Sequence, residues 1–260
     1  MLTSSHAVTR TGLDAVALKP TECDVRRALE LPFETITIDY EGREQLPDRE
    51  TLAELAAKKD LRMTIPVRAD GFDPLGDDSL FDHIPENAGQ VLVAGHPAYL
   101  SEKEKTRAIA PRLGNALDSA PNAWVGTEGV KRIATATGAT QFELLSRSTD
   151  RELRALRAAG FEGTIAVYAP TVLTGDENVI LDAVGEYVAR RKPVARALPE
   201  DGKTDARAVG RTREVLLKAS RDFALVGTET EVGERIAELK DAGADLVVGY
   251  PARGVESFLG

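Results

Sequence analysis

Asp39 ends the apolar run TITID, His96 sits in AGHPAY, and Gly126-Thr127-Glu128-Gly129 separates an apolar run from Val130, Lys131 and Arg132. A carboxylate at the end of a buried strand can accept a ring N–H or activate a proton acceptor, and it can equally cap the turn through EGR that follows it. His96 can give or take a proton near neutral pH, although a histidine before a proline is also a plain turn residue. Gly126 and Gly129 let backbone N–H groups approach an anion, and a helix start adds favourable partial charge. Lys131 and Arg132 would strengthen phosphate binding there, with an ordinary tight strand-to-helix turn as the alternative.

Other reactive residues offer less. Lys19, at the end of LDAVALK, could form a Schiff base if desolvated, but a solvated lysine beside Pro20 fits as well. His6, His83 and His96 are far apart and none pairs with a second ligand at metal-site spacing. A single cysteine, Cys23, excludes an internal disulfide framework, and its expected helical setting suits a packed thiol. Trp124, Tyr168 and Tyr250 could line a mouth for a planar ring or fill the core.

The elements that must position these residues alternate strand and helix from end to end. Strands are expected at Leu13–Lys19, Thr35–Tyr40, Arg62–Arg68, Gln90–Gly95, Ala123–Thr127, Gln141–Ser146, Thr164–Ala169 and Asp245–Tyr250. Eight is the number at which a parallel sheet closes into the (β/α)8 barrel, whose active sites lie at the carboxyl ends of the strands. The pattern predicts one such domain over 1–260, with the strand at Asp245 pairing with the first. Helices are expected at Cys23–Leu31, Arg49–Lys59, Ser101–Ser119, Gly129–Thr137, Thr149–Ala159, Glu177–Arg191, Asp205–Ala219 and Thr230–Ala242. Capping boxes are expected at Thr149–Glu152 and Thr228–Glu231, with terminal glycines at Gly160 and Gly243. The stretch PVARALPEDGKTD is expected as an exposed loop. No G-x-G-x-x-G follows the first strand, which counts against an open dinucleotide-binding sheet.

With 260 residues, 42% of them hydrophobic, the chain can bury a sizeable core. No apolar run approaches the roughly 20 residues of a membrane span, and the start MLTSSHAVTRTG lacks the order of a signal peptide, so a cytoplasmic protein is expected. A net charge of −9 argues against nucleic acid and anionic membrane as partners and favours a small molecule or a protein. The arginine and acidic content would suit a high-salt, archaeal-like cytoplasm.

Several segments, taken in order, resemble the luciferase-like family of barrel oxidoreductases, which use flavin or the deazaflavin coenzyme F420 and include the methylene-tetrahydromethanopterin reductases. LVGTETEVGERIAELKDAGADLVVGYP looks like that family's closing helix and strand, and APNAWVGTEGVKRIATATGATQFELL is similar to its phosphate-binding segment. ITIDY stands where the family has a strand ending in Asp-His, with Tyr40 in place of the histidine. Val130 stands for the proline of the phosphate loop, and Pro66 falls where the family carries a strand bulge behind the coenzyme ring. The resemblance implies F420 or FMN at the barrel mouth, with Gly126, Thr127, Gly129 and Lys131 at the phosphate, Tyr40 and Pro66 beside the ring, and Asp39 and His96 as catalytic residues. The interval after the fourth strand, SEKEKTRAIAPRLGNALDSAPN, is shorter than the family's insertion, which implies a more open pocket or one completed by another chain in a homo- or hetero-oligomer. The altered motifs also fit a non-catalytic barrel acting as a partner subunit.

Overall fold

The computed structural model describes residues 7–68 and 79–259. His6 and Asp70, a further strand-end candidate, lie outside the described residues. The chain divides into two compact units, the first formed by residues 15–144 with 162–166 and the second by the remainder. In the first, β1 (Ala15–Leu18), β2 (Thr35–Ile38), β3 (Asp60–Pro66), β4 (Gly89–Val93), β5 (Trp124–Gly126) and β6 (Gln141–Leu144) each pair in parallel with the next. All four side chains of β1 are buried, as expected of a strand covered on both faces.

β7 (Ile165–Leu173) leads into the second unit, which adds β8 (Leu225–Gly227) and β9 (Leu246–Pro251). β7 pairs with β8 in parallel, Thr171 opposite Leu225. The hydrogen-bonded order is β6-β5-β4-β3-β2-β1-β9-β7-β8, with β6 also paired to β7. β1 to β7 and β9 therefore close an eight-membered ring, and the fold is a parallel (β/α)8 barrel in which the last strand neighbours the first.

Local chemistry sets the element ends. Thr228 and Glu231 form the expected reciprocal capping box, and Gly243, at φ 121°, ends the Glu229–Ala242 helix. The Thr149–Glu152 box does not form. Ser148 is the cap residue, and Thr149 Oγ1 instead accepts the Ser146 N–H at 2.9 Å. The helix expected over Ser101–Ser119 is broken into Glu102–Lys105 and Ile109–Ser119. Pro111 explains the break, because a proline lacks the N–H of a helix interior but is tolerated in a first turn. Cys23 precedes a 3-10 helix, Val25–Glu30, that is capped by Asp24. PVARALPEDGKTD is helical at its start, in Lys192–Ala195.

β3 also differs from expectation at Pro66. Its register with β4 runs unbroken from Arg62 opposite Gly89 to Pro66 opposite Val93, so there is no bulge. The next amide, that of Val67, donates to Val93 at 3.0 Å and carries the ladder past the proline.

Candidate functional site

The carboxyl ends of β2 to β5, all in the first unit, gather Asp39, Tyr40, His96 and Glu128. The Asp39 N–H donates to Leu18 at 2.9 Å, which extends the β1–β2 ladder by one bond and fixes where the chain leaves the sheet. Tyr40 is held through its main chain at both sides. Its N–H donates to Thr64 Oγ1 and its carbonyl accepts the Tyr99 hydroxyl at 3.0 Å. The Tyr40 and Tyr99 rings meet edge to face at 5.7 Å, and the His96 ring lies 4.8 Å from Tyr99 at a tilt of 37°. These three rings form an aromatic wall.

His96 Nε2 lies 3.5 Å from Glu128 Oε2. A carboxylate there orients the imidazole, an arrangement suited to proton transfer. Burial pushes the Tyr99 phenol pKa up, and the negative charges of Asp39, Glu128 and Glu41 push it further. Tyr99 therefore stays a neutral donor to Tyr40. The same coupling places Asp39 and Glu128 within electrostatic reach of one phenol. Position alone singled out Asp39 and His96, whereas Tyr99 escaped notice as the third residue after His96 in AGHPAY.

The turn after β5 is closed by its own neighbours. Gly129 has φ 74°, and a Cβ there would come within 2.9 Å of the Gly95 carbonyl oxygen. A Cβ on Gly95 would lie 2.5 Å from the Glu128 carbonyl oxygen. Two turns thus pack backbone on backbone, which requires glycine at both places. Lys131 Nζ donates to Glu143 Oε1 at 2.6 Å, and Thr127 Oγ1 donates to Glu143 Oε2 at 2.5 Å. The lysine expected at a phosphate is balanced by a carboxylate of the next strand.

A second charged cluster follows β3 and β4. Arg68 Nε and Nη2 donate to the two carboxylate oxygens of Glu104 at 3.1 and 3.2 Å. Glu104 Oε2 also accepts the N–H and hydroxyl of Ser101, each at 2.7 Å. Burial pushes the Glu104 carboxyl up, but the Arg68 and Ser101 hydrogen bonds outweigh it and hold the pKa down at about 2. Arg112, fully buried, donates from Nη2 to the Ala94 carbonyl at 2.8 Å, the first residue beyond β4. Burial lowers its pKa from the ordinary arginine value, and the charge of Glu104 opposes that shift.

The other expected residues pack conventionally. Trp124 is buried under the Arg62 guanidinium, 4.3 Å from its ring, and near Phe142. In the second unit Tyr168 and Tyr250 are buried and stack at 6.4 Å. Lys19 Nζ lies 3.4 Å from Glu22 and Cys23 Sγ is 3.7 Å from the Lys19 carbonyl. Among the described residues no group of three or more His, Cys, Asp or Glu could hold a metal ion. No helix among them is long and apolar enough to cross a membrane.

A solved F420-dependent secondary alcohol dehydrogenase, in complex with an F420-acetone adduct, is similar over 92% of this chain and 93% of its own, with a TM-score of 0.51 and 12% sequence identity. At that identity the likeness is one of fold, the parallel (β/α)8 barrel. No curated protein matches the sequence. A family model described as a family of unknown function, DUF7388, matches residues 8–258.

Proposed function

We propose that this chain, which belongs to the DUF7388 family, is an oxidoreductase that binds a deazaflavin or flavin at the carboxyl ends of its strands and passes hydride to or from a small organic substrate. The observation that carries this reading is the His96–Glu128 pair set against the Tyr99 ring, with Asp39 in electrostatic reach of the same phenol. The fold shared with an F420-dependent alcohol dehydrogenase supports deazaflavin over flavin.

The residues present fit the ring of such a coenzyme better than its phosphate. Tyr40, His96 and Tyr99 offer a half-buried aromatic surface, and Tyr99 is locked by its bond to Tyr40. When bound, the coenzyme supplies the hydride chemistry. His96, backed by Glu128, takes the proton from a substrate hydroxyl or returns it to a carbonyl. At the Gly126–Lys131 turn, by contrast, Lys131 is already balanced by Glu143, so an anion there gains little from that lysine. That pairing favours a second reading, a barrel that keeps the fold as a non-catalytic partner subunit.

Fluorescence titration of the chain with F420 and with FMN, followed by assays with secondary alcohols and reduced pterins, tests the proposal. Saturable binding with turnover of either substrate class supports it. Binding of neither coenzyme moves the assignment to the partner subunit.

A further inference from the structure

Arg112 makes a demand that its neighbours do not meet. It is 0% exposed, yet among the described residues its Nε and Nη1 have no hydrogen-bond partner. Only Nη2 is used, on the Ala94 carbonyl. The nearby carboxylate, Glu104, cannot supply the missing acceptors. Both of its oxygens are taken by the fork of Arg68, and Oε2 receives Ser101 as well. Arg112 therefore keeps two buried N–H donors unmatched among the described residues, where a cation and its donors are costly to leave so.

The place matters as much as the charge. Ala94 directly precedes Gly95 and His96, and Arg68 follows the end of β3, so the cluster lies at the strand ends where barrels bind ligands. The geometry points to Arg112 as the base of a subsite for a small oxyanion, a carboxylate or phosphate group of a ligand that reaches the β3 and β4 ends. Guanidinium suits such groups because it offers several fixed donors together with full charge. The oxyanion would accept from the unmatched donors and set a negative charge beside the buried guanidinium. This anion site differs from the Gly126–Lys131 turn and stands whether or not a coenzyme binds.

The test uses the full chain without coenzyme. Thermal melts are recorded across sodium phosphate and sodium acetate series, with ionic strength held constant by sodium chloride. Wild type is expected to show a saturable rise in melting temperature, and the anion that saturates at lower concentration identifies phosphate or carboxylate as the group bound. Arg112→Met should weaken that response roughly tenfold or more, whereas substitution of the exposed Arg151 by Met should leave it intact. Glu104→Gln should tighten anion binding, since it removes a negative charge close enough to Arg112 to repel the anion. No saturable response in wild type, or an Arg112→Met response equal to wild type, overturns the subsite.

If Arg112→Met does not fold, wild type labelled with 15N-arginine decides the matter. A protected Nε–H resonance that moves saturably with the anion supports the subsite, and one that does not move overturns it. Coenzyme titration of the same wild-type sample separates the two proposals. Anion binding without coenzyme binding sinks only the oxidoreductase reading, and coenzyme binding without an anion response sinks only this one.

Discussion

The Lys131 ammonium and the Glu143 carboxylate lie 2.6 Å apart, with the Thr127 hydroxyl on the other carboxylate oxygen. A lysine already neutralised adds little to anion binding. Lys131→Ala is therefore expected to change F420 affinity less than about twofold, while Glu143→Gln, which frees the ammonium, raises it by roughly fivefold, about 1 kcal/mol. Fluorescence titration of both variants measures this. A large loss with Lys131→Ala would return the phosphate to the turn after β5.

The Gly95–Gly129 contact predicts a loss of stability distinct from any loss of binding. Gly129→Ala places a side chain at φ 74° and 2.9 Å from a carbonyl oxygen, and should cost roughly 2–3 kcal/mol in urea unfolding. Gly138 has a similar φ of 70° but open space around its Cβ position. Gly138→Ala should thus show the backbone cost alone, about 1 kcal/mol. Equal losses at the two sites would mean that the packing of the two turns contributes nothing.

Glu104 predicts acid sensitivity. Its carboxyl pKa is lowered in the folded chain, so its contribution to stability is present above the ordinary value of 4.5 and lost as pH falls from there toward about 2. With the side chain only 4% exposed, the contribution is of order 3 kcal/mol. Urea midpoints between pH 6 and pH 2.5 should fall more steeply for wild type than for Glu104→Gln. Parallel curves would remove Glu104 as the source.

His96 and Glu128 are expected to differ in effect. His96→Asn removes the proton carrier and should lower kcat by about a hundredfold or more with little change in coenzyme affinity. Glu128→Gln keeps the imidazole but removes its charged partner, and should cost less. Asp39→Asn should reduce kcat with modest loss of binding, whereas an aspartate that only capped a turn would tolerate asparagine. Steady-state kinetics with separate coenzyme titrations resolve the three.

The barrel was legible because strands covered on both faces appear as short apolar runs between capped helices, as in AVAL and LVVGYP. β8 was missed because three residues, Leu225–Gly227, are too few to make such a run. β7 was cut short at Pro170, which interrupts IAVYAPTVL in sequence but sits inside the strand. At the site, strand-end position was enough to find Asp39 and His96. The Lys131–Glu143 pair joins residues 12 apart, and the Arg68–Glu104 pair joins residues 36 apart. Such partners are fixed by the packing of neighbouring strand ends, which no local pattern encodes. Arg112 reads as an ordinary helix arginine in APRLGNAL, and only the packed structure reveals its burial.

The most direct measurement is a single one: titration of wild type with F420, read by coenzyme fluorescence, followed by addition of a secondary alcohol and then of a reduced pterin. The oxidoreductase reading predicts saturable binding and loss of the oxidised-coenzyme signal with one of the two substrates, a loss abolished in His96→Asn. Unchanged fluorescence throughout, with FMN equally inert, would contradict it and leave a barrel that does no redox chemistry.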